Sequence, residues 1–262
     1  MTTFRDGLLE GKVAFVAGGT SGINLGIAKR FAQLGAKVAV CGRDPDKAAR
    51  AAGAIGPDAL GLSADVRDFG AIRAALEQTA SDFGPLDIVV AGAAGNFLAP
   101  ALGMSANAFK TVVDIDLLGT FNTLRACHDL LNRPGASLIA ITAGQADQAM
   151  ALQIHACAAK AGVNQVVRTL AIEWGPDVRV NGISPGPIAG TEGMERLSPP
   201  GMREASEARI PLKRWGEIEE IAEAAAFLCS PAATYITGTI LDVDGGSSVG
   251  DAGRMELAKG LS

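Results

Sequence analysis

Aromatic residues are scarce in this sequence, and tyrosine is nearly absent. The 262 residues include nine Phe, two Trp and a single Tyr, whereas 48% of the chain is hydrophobic. The core must therefore be packed mainly with Ala, Val, Ile and Leu. Small and β-branched residues suit a parallel sheet that helices cover on both faces. A chain of this length can form one large α/β domain.

The sequence also lacks a concentration of positive charge. Lys and Arg number 23 against 28 Asp and Glu, which gives a net charge of −5, and the cations are scattered along the chain. This distribution excludes the basic face that nucleic-acid-binding proteins use. Any anionic ligand must be held by individual arginines and backbone amides.

Metal-ligand clusters and disulfide motifs are missing as well. The chain has two His and four Cys, none of them in a CxxC pair. We therefore expect no metal site, and cysteines that act as small apolar packing residues in a reducing compartment. The N-terminus has no apolar stretch of signal-peptide length, and the most apolar region, 88–104, is broken by Pro and Gly. These features predict a soluble cytoplasmic protein with no membrane partner.

Short apolar runs alternate with segments of helical period. The predicted strands are 13–17, 37–41, 59–63, 87–91, 137–142, 178–184 and 239–243, and the predicted helices are 22–34, 45–53, 68–83, 105–131, 151–174 and 217–229. This alternation predicts a Rossmann-type, doubly wound, seven-stranded parallel sheet in a single domain, 1–262. The segment 186–216 is rich in Gly and Pro and follows the sixth strand, which favours a substrate lid over an ordinary surface loop.

A glycine-rich loop separates the first predicted strand from the first predicted helix. Glycines there permit a tight turn and a close backbone approach, and the helix N-terminus offers free N–H groups to a pyrophosphate. We expect this loop to bind a dinucleotide through Gly18, Thr20, Ser21, Gly22 and Ile23.

The end of the second strand discriminates between cofactors. Arg43 comes first and Asp44 follows. A cation at this place accommodates the 2′-phosphate of NADP, whereas an acid would bond the ribose hydroxyls of NAD. The order favours NADPH, with a solvated turn arginine as the alternative.

The loop resembles the TGxxxGxG motif of the short-chain dehydrogenases, with Asn24 in place of the third glycine. An Asn there can be accommodated if Gly26 takes over the close packing of the helix. Members of that family reduce carbonyls with a Tyr and a Lys spaced YxxxK. Here Lys160 matches the lysine, but Ala156 stands where the tyrosine belongs. The single tyrosine, Tyr235, matches a scaffold position of the family and is expected to pack there.

Other groups near the missing phenol could carry proton chemistry. Asp116 shares a helical stripe with apolar residues, so its carboxylate should point inward, and the family's packing makes Lys160 its expected partner. Gln153, seven residues before Lys160, should face the same site. His155 is rotated off that stripe, which is more typical of a packing residue than of a catalyst. The alternative for the Asp116–Lys160 pair is a structural ion pair in an inactive protein.

Four segments together resemble the 2,4-dienoyl-CoA reductases of the peroxisomal type: 93–100, 105–122, 151–162 and 184–197. That group also lacks the tyrosine and carries the Asp and Lys. The resemblance implies that NADPH delivers hydride to the δ carbon of a 2,4-dienoyl-CoA and that a proton returns at the α carbon, to leave a 3-enoyl-CoA. The dienolate needs charge stabilisation more than a phenol acid. The C-terminus does not end in the peroxisomal signal Ser-Lys-Leu.

The resemblance also assigns residues. Asp116 and Lys160 would be catalytic, with Lys160 also holding the nicotinamide ribose. Further cofactor contacts would be Asp65, Val66, Pro185, Gly186, Ile188 and Thr191. Acyl-CoA contacts would include Arg43, Arg67, Phe97, Ser105, Gln153, His155 and Arg196. A homotetramer is the family expectation, and the apolar face of helix 151–174 is consistent with it.

Two other functions fit parts of the sequence. One is a reductase of ketones or 3-oxoacyl thioesters that uses His155 or water as its acid. The other is an NADP(H)-binding regulator or scaffold without turnover, because an intact glycine loop beside a vacant tyrosine position would be typical of such a protein.

Overall fold

The computed structural model describes residues 4–197, 201–250 and 252. Seven parallel strands form one sheet in the order β3-β2-β1-β4-β5-β6-β7. The strands are Val13–Ala17 (β1), Lys37–Gly42 (β2), Leu60–Ser63 (β3), Ile88–Ala91 (β4), Ala136–Ile141 (β5), Val178–Pro185 (β6) and Ile240–Val243 (β7). Each predicted strand is present, with its ends shifted by at most one residue. The predicted fold class is confirmed.

The helices lie between the strands. They are Gly22–Gln33 (α1), Pro45–Ile55 (α2), Phe69–Phe83 (α3), Ala106–Val113 (α4), Gly119–Cys127 (α5), Ile154–Trp174 (α6), Glu192–Leu197 (α7), Met202–Arg209 (α8) and Ile218–Cys229 (α9). The predicted helix 105–131 is interrupted by a π-helical turn, Asp114–Leu118, between α4 and α5. Helix α6 begins three residues later than predicted. The irregular segment after β6 contains two short helices that the sequence did not indicate.

Two apolar layers cover the sheet, one on each face. Residues of α3, α5 and α6, among them Leu76, Leu124 and Val163, pack on one face. Residues of α1 and α9, such as Phe31 and Ile221, pack on the other. The interior strand β1, which lies between β2 and β4, is buried along its whole length. Its side chains, mostly Val and Ala, fit between two helical layers, as the composition predicts.

The four cysteines are free, and two of them lie deep in the core. Cys41 and Cys127 are buried in the layer that α3 and α5 cover, as expected for small apolar residues. Burial raises the pKa of the Cys41 thiol to about 12, although a hydrogen bond from the Gly18 backbone opposes the shift. These two thiols are therefore protonated at neutral pH and act by packing.

The crevice of the fold lies where β1 and β4 are neighbours. The chain leaves these two strands in opposite directions, so their carboxyl ends frame an open groove, the usual ligand position in such sheets. The glycine-rich loop follows β1, and the segment with Asn96 and Phe97 follows β4.

Two further observations concern the surface. Tyr235 is fully exposed at 103%, so the expectation that it packs into the scaffold is wrong for the single chain. It lies in the turn before β7, where the backbone rather than the ring meets the rest of the fold. Among the described residues, no helix is both long and apolar enough to cross a bilayer.

Candidate active site

The glycine-rich loop packs closely against the segment that follows β4. Gly18 has φ +73°, and a Cβ there would lie 2.7 Å from the Ala93 backbone. Gly22 has φ +54° and opens α1. A side chain at Gly18 would therefore push the loop away from the crevice. Glycine is required because both the dihedral angle and the close approach exclude larger residues.

The first turn of α1 presents unoccupied backbone donors to the crevice. Ser21 is the N-cap residue, yet its side chain makes no capping hydrogen bond, and the first turn carries no acidic residue. The N–H groups of a helix start need partners, and the helix dipole favours an anion there. The loop thus fits a pyrophosphate held by backbone amides.

Asn24, the departure from the glycine motif, links α1 to the end of β4. Its Nδ2 donates to the Gly92 carbonyl at 2.7 Å, and a Cβ on Gly92 would lie 2.3 Å from the Asn24 Oδ1. The packing role passes to Gly26, where a Cβ would lie 2.1 Å from Cγ2 of Ile218 in α9. The expected exchange of roles between these two positions is confirmed.

Asp44, which follows Arg43, is engaged as a helix cap. Asp44 is the N-cap of α2, and its carboxylate accepts the backbone N–H groups of Asp46 and Lys47 at 2.9 and 3.0 Å. The hydrogen bond from Lys47 is the main reason that the pKa of Asp44 is lowered. The exposed Arg43 side chain precedes it at the carboxyl end of β2. This arrangement fits the extra phosphate of NADPH rather than the ribose hydroxyls of NAD.

Asp65, Val66 and Arg67 lie together after β3. Arg67 donates hydrogen bonds to the Asp65 carboxylate from Nε and Nη2, and Nη2 is 2.6 Å from Oδ2. That side-chain hydrogen bond holds the pKa of Asp65 below its usual value. Val66 is buried, and its carbonyl accepts from Asn122 Nδ2 at 2.8 Å. Asn122, a residue that we did not single out from the sequence, therefore fixes this wall of the crevice.

Asp116 occupies the middle of the π-helical turn and is 1% exposed. Its Oδ1 accepts the Gly95 backbone N–H at 2.7 Å, and its Oδ2 lies 3.4 Å from Lys160 Nζ. Lys160, also buried, donates to the Ile141 carbonyl at 3.0 Å. The inward carboxylate and its pairing with Lys160 agree with the sequence-based expectation. Each charge has a backbone partner in addition to the other charge, as buried ions require.

His155 lies beside this pair, in the first turn of α6. Its ring is fully buried, and its centroid is 4.4 Å from that of Phe97. Neither ring nitrogen has a hydrogen-bond partner within the described residues. Burial lowers the pKa of His155, while the charge of Asp116 and the nearby Phe97 backbone act in the opposite direction.

Gln153 belongs to a network of amides at the mouth of the site. Its Oε1 accepts from Asn96 Nδ2 at 2.6 Å and from Gln145 Nε2 at 3.1 Å. Because α6 begins at Ile154, Gln153 is the N-cap, and the helical spacing used in the sequence argument does not apply to it. No motif in the sequence indicated Gln145. Asn96 lies in segment 93–100 of the resemblance, and that segment could have indicated it.

The turn after β6 packs against the glycine-rich loop. A Cβ on Gly186 would lie 2.7 Å from the Asp244 backbone, and Ile188 is buried. The Thr191 hydroxyl donates to the Ile188 carbonyl at 3.0 Å, and Thr191 Cγ2 is 3.8 Å from the Cβ position of Gly22. Pro185 ends β6 and starts this turn. Thr191 therefore approaches the phosphate loop, whereas Gly186 packs against the turn after β7.

Ser105 and Arg196 are the remaining predicted substrate contacts. Ser105 is exposed and caps α4, where its Oγ accepts the Ala108 N–H at 3.1 Å. Arg196 lies in α7, but its side chain is outside the described residues.

A family model described as Enoyl-(Acyl carrier protein) reductase matches residues 17–248. The chain is 45% identical to the peroxisomal 2,4-dienoyl-CoA reductase [(3E)-enoyl-CoA-producing] of Pongo abelii over 251 residues, which cover 93% of this chain and 86% of the relative. The corresponding protein of Saccharomyces cerevisiae is 42% identical, with the same coverage.

Solved structures of similar sequence share the fold of this chain. A 3-ketoacyl-(acyl-carrier-protein) reductase from Brucella melitensis, in complex with NADH, superposes with a TM-score of 0.84 at 35% identity and covers 92% of this chain and 99% of its own. A putative short-chain alcohol dehydrogenase from Sinorhizobium meliloti has a TM-score of 0.87 at 31% identity, over 92% of this chain and 98% of its own. The chain belongs to the short-chain dehydrogenase/reductase family.

The chain differs from the usual catalytic residues of that family mainly at the position of the tyrosine. Ala156, at the position of the tyrosine, is 2% exposed and contributes only a methyl group. The fully exposed Tyr235 cannot replace a phenol inside the crevice. The titratable groups around this position are instead Asp116, Lys160 and His155.

The predicted cytoplasmic location is contradicted, because curated relatives 42–45% identical to this chain are named as peroxisomal proteins. The sequence argument rested on unpaired cysteines and on the lack of a signal peptide and of a membrane-length apolar segment. These features are equally compatible with the lumen of an organelle, which is as aqueous as the cytoplasm. The prediction was wrong because it took compatibility with water as evidence of location.

Proposed function

We propose that this protein reduces 2,4-dienoyl-CoA thioesters to 3-enoyl-CoA thioesters with NADPH. The observation that carries the proposal is the buried Asp116–Lys160 pair beside Ala156. Carbonyl reductases of this family need a tyrosine hydroxyl at the position of Ala156. This chain has no hydroxyl there and keeps a buried charge pair beside that position. Relatives 42–45% identical over most of the chain bear the name of this activity.

The reaction adds two electrons and two hydrogens. NADPH, when bound, supplies a hydride that forms a C–H bond at the δ carbon. The electrons of the conjugated double bonds move toward the thioester oxygen as a dienolate. A proton from water then forms a C–H bond at the α carbon, and one double bond remains between the β and γ carbons.

Asp116 and Lys160 supply the charge environment for the proton step. Asp116 Oδ1 is fixed by Gly95, and Oδ2 faces Lys160. Together they hold and orient the water that gives up its proton, with Lys160 favouring the negative charge that is left behind. Lys160 also holds the nicotinamide ribose. The pair therefore takes part in the reaction and is not a structural ion pair of an inactive protein.

The cofactor contacts follow the groove from the phosphate loop to the turn after β6. Backbone groups of Gly18–Ile23 hold the pyrophosphate, and Arg43 holds the 2′-phosphate. Asp65 and Val66 border the adenine. Pro185, Gly186, Ile188 and Thr191 border the nicotinamide.

The substrate contacts divide between the acyl thioester and the CoA portion. Phe97, Gln153 and His155 meet the acyl thioester. Arg43, Arg67, Ser105 and Arg196 contact the CoA portion. The Arg67 side chain is 41% exposed while it pairs with Asp65, so its guanidinium also faces solvent where a phosphate can approach.

The segment 186–216 serves as the substrate lid. Its far end is anchored, because Gly216 N–H donates to the Pro187 carbonyl and the Gly216 carbonyl accepts from Ala189 N–H, both at 2.9 Å. Trp215 is buried and donates to Ser206 Oγ at 3.1 Å. The helices α7 and α8 lie between Ala189 and Trp215, and α8 is tied to Trp215 through Ser206. This helical middle is the part of the lid that closes over substrate.

The protein acts as a homotetramer. Exposed apolar side chains on α5 and α6, among them Phe121 at 43% and Ile172 at 83%, support this assembly. A second copy would remove them from water.

A reductase of 3-oxoacyl thioesters is less well supported. It needs an acid where Ala156 stands, and the candidate acid was His155. Burial lowers the pKa of His155, so the protonated form is scarce at neutral pH. A neutral imidazole is a poor proton donor to a developing alkoxide.

The test compares substrates directly. The protein is mixed with NADPH and either 2,4-hexadienoyl-CoA or acetoacetyl-CoA, and NADPH absorbance is followed. The proposal expects oxidation with the dienoyl thioester only. Oxidation with acetoacetyl-CoA alone would show a carbonyl reductase, and cofactor binding without turnover on either would show a scaffold.

A further inference from the structure

His155 is a buried polar side chain without a partner. The ring is 0% exposed, and neither Nδ1 nor Nε2 has a hydrogen-bond partner within the described residues. An orphaned buried donor destabilises a fold, because it gives up its hydrogen bonds to water and receives none in exchange. Such groups are rare in folded proteins and call for an explanation. A leucine or phenylalanine would fill the same space without that cost.

The neighbouring polar groups are already engaged. Asp116 accepts from Gly95 and pairs with Lys160, while Lys160 donates to the Ile141 carbonyl. The Phe97 backbone is close enough to favour the protonated imidazole, yet it does not reach hydrogen-bond geometry. The imidazole therefore keeps its hydrogen-bonding capacity beside the pair that we assign to proton transfer.

The imidazole is held neutral by its surroundings. Burial disfavours the charged form and lowers the pKa of His155. The positive end of the α6 dipole acts in the same direction, because His155 is the second residue of that helix. A neutral imidazole has one N–H donor and one acceptor nitrogen. Its N–H can stabilise an oxyanion by hydrogen bonding but does not readily transfer its proton.

We infer that His155 is a catalytic residue whose N–H donates a hydrogen bond to the thioester oxygen of the bound dienoyl-CoA. The inference rests on the proposed function. It separates two tasks: His155 stabilises the dienolate oxygen, and the water held by Asp116 and Lys160 provides the proton for the α carbon. The C–H bond at the α carbon thus forms with a proton from water, and the imidazole keeps its own.

Phe97 controls access to the imidazole. Its ring lies against His155 and is itself 38% exposed at the mouth of the site. Rotation about the side-chain bonds uncovers the imidazole without any backbone change. The backbone of this loop is tied to the segment before α6 by a hydrogen bond from Ala99 N–H to the Leu152 carbonyl, 2.9 Å long. The acyl group then takes the place of the Phe97 ring against His155.

The absorption spectrum of a bound substrate tests the contact without turnover. 2,4-Hexadienoyl-CoA is added to the protein with NADP⁺, which cannot reduce it. A hydrogen bond to the thioester oxygen polarises the conjugated system and shifts its absorption to longer wavelength. We expect a red shift with the wild type, none with His155→Phe, and an intermediate shift with His155→Gln, which keeps an N–H.

Turnover provides the second readout. Loss of one oxyanion donor typically lowers kcat about 10²–10³-fold, and we expect this for His155→Phe with an unchanged Kd for NADPH. His155→Gln should recover part of the loss. The matched control is His128→Phe, which alters the other histidine, packed on Trp174 with ring centroids 4.7 Å apart. It should change neither the shift nor kcat.

The possible failures are distinguishable. If the wild type does not oxidise NADPH with the dienoyl thioester, the proposed function fails and this inference falls with it. If the wild type turns over but His155→Phe keeps the red shift or the wild-type kcat, only the inference is overturned. A parallel loss of kcat, NADPH affinity and thermal stability with the shift retained would show a packing role instead.

Discussion

Asp116 and Lys160 show how a single residue pair can remain charged inside an apolar fold. Removing an ion from water costs several kcal/mol, and a buried pair is often no more stable than hydrophobic residues of the same volume. Here Gly95 and Ile141 supply additional hydrogen bonds to the two charges. Because burying the pair costs free energy and hydrophobic residues could replace it, its presence is better explained by a chemical role than by stability.

Replacement of Asp116 should separate chemistry from cofactor binding. Asp116→Ala should lower kcat on 2,4-hexadienoyl-CoA far more than it weakens NADPH binding, because the carboxylate positions water and not the cofactor. Asp116→Asn keeps an acceptor for Gly95, so it should destabilise the fold less than Asp116→Ala while kcat stays low. Steady-state kinetics and a fluorescence titration with NADPH measure the two effects. Equal losses in both would disprove the role of Asp116.

Arg43 should govern cofactor preference. Arg43→Ala should weaken NADPH binding by roughly 10–100-fold, the loss expected for one charge-assisted hydrogen bond of about 1.5–3 kcal/mol, with little effect on NADH. The matched control is Asp44→Ala, which should destabilise α2 by removing its cap without changing the NADPH/NADH ratio. A shift toward NADPH in the control would show that Asp44, rather than Arg43, sets the preference.

At the scale of elements, α1 and β4 are joined by a contact that the glycine motif alone does not require. The Asn24 amide lies against the Gly92 backbone with no space for a Cβ. Gly92→Ala should therefore lower the melting temperature and the NADPH affinity together. The double variant Asn24→Gly/Gly92→Ala should recover part of both losses, because the clashing amide is gone. Additive losses in the double variant would mean that the contact does not position the loop.

The start of α9 should contribute acid-sensitive stability. The Arg214 guanidinium, with help from the Glu217 backbone N–H, lowers the pKa of Glu220 to about 2 in the folded chain. A carboxyl with a depressed folded pKa stabilises the fold above its unfolded pKa, and the contribution is lost as pH falls from about 4.5 toward 2.

Urea denaturation measures this contribution. Glu220→Gln should be less stable than the wild type at pH 6, and the difference should shrink as the pH approaches 3. Glu219→Gln, which changes an exposed neighbour in the same turn, should show a constant difference. A gap between wild type and Glu220→Gln that does not change with pH would disprove the ion pair's part in stability.

The break between α4 and α5 could not be predicted from periodicity. Residues 105–131 show a continuous apolar stripe, which indicates one helix. The π-helical turn Asp114–Leu118 adds one residue to a turn and brings Asp116 to the crevice. Such turns occur mostly at functional sites, where side-chain placement outweighs regular hydrogen bonding. The decisive interactions, with Gly95 and Lys160, come from distant parts of the chain.

At the scale of the whole molecule, the described chain leaves apolar side chains in water. Ile172→Glu should therefore reduce the assembly from a tetramer to smaller species, because a carboxylate is costly to bury between subunits. Light scattering after size-exclusion chromatography gives the mass. Leu102→Glu, at an exposed position outside α5 and α6, is the control and should not change it. A wild-type monomer would contradict the tetramer directly.

The sequence by itself determined the fold, because strand and helix periods are local properties, and seven strand segments alternate with six helical segments along the chain. It also determined the phosphate loop, because the positive φ angles of that loop require glycine. The pairing of Asp116 with Lys160 followed from the family resemblance and is present in the structure.

Only the tertiary structure decided what surrounds the vacant tyrosine position. It placed His155 beside Asp116 with no hydrogen-bond partner in the described part of the chain, made Gln153 an N-cap in an amide network, and used Asp44 to cap α2. These outcomes depend on where α6 starts and on which distant donors arrive. No periodicity within a segment encodes them, because each is a contact between elements far apart in the chain.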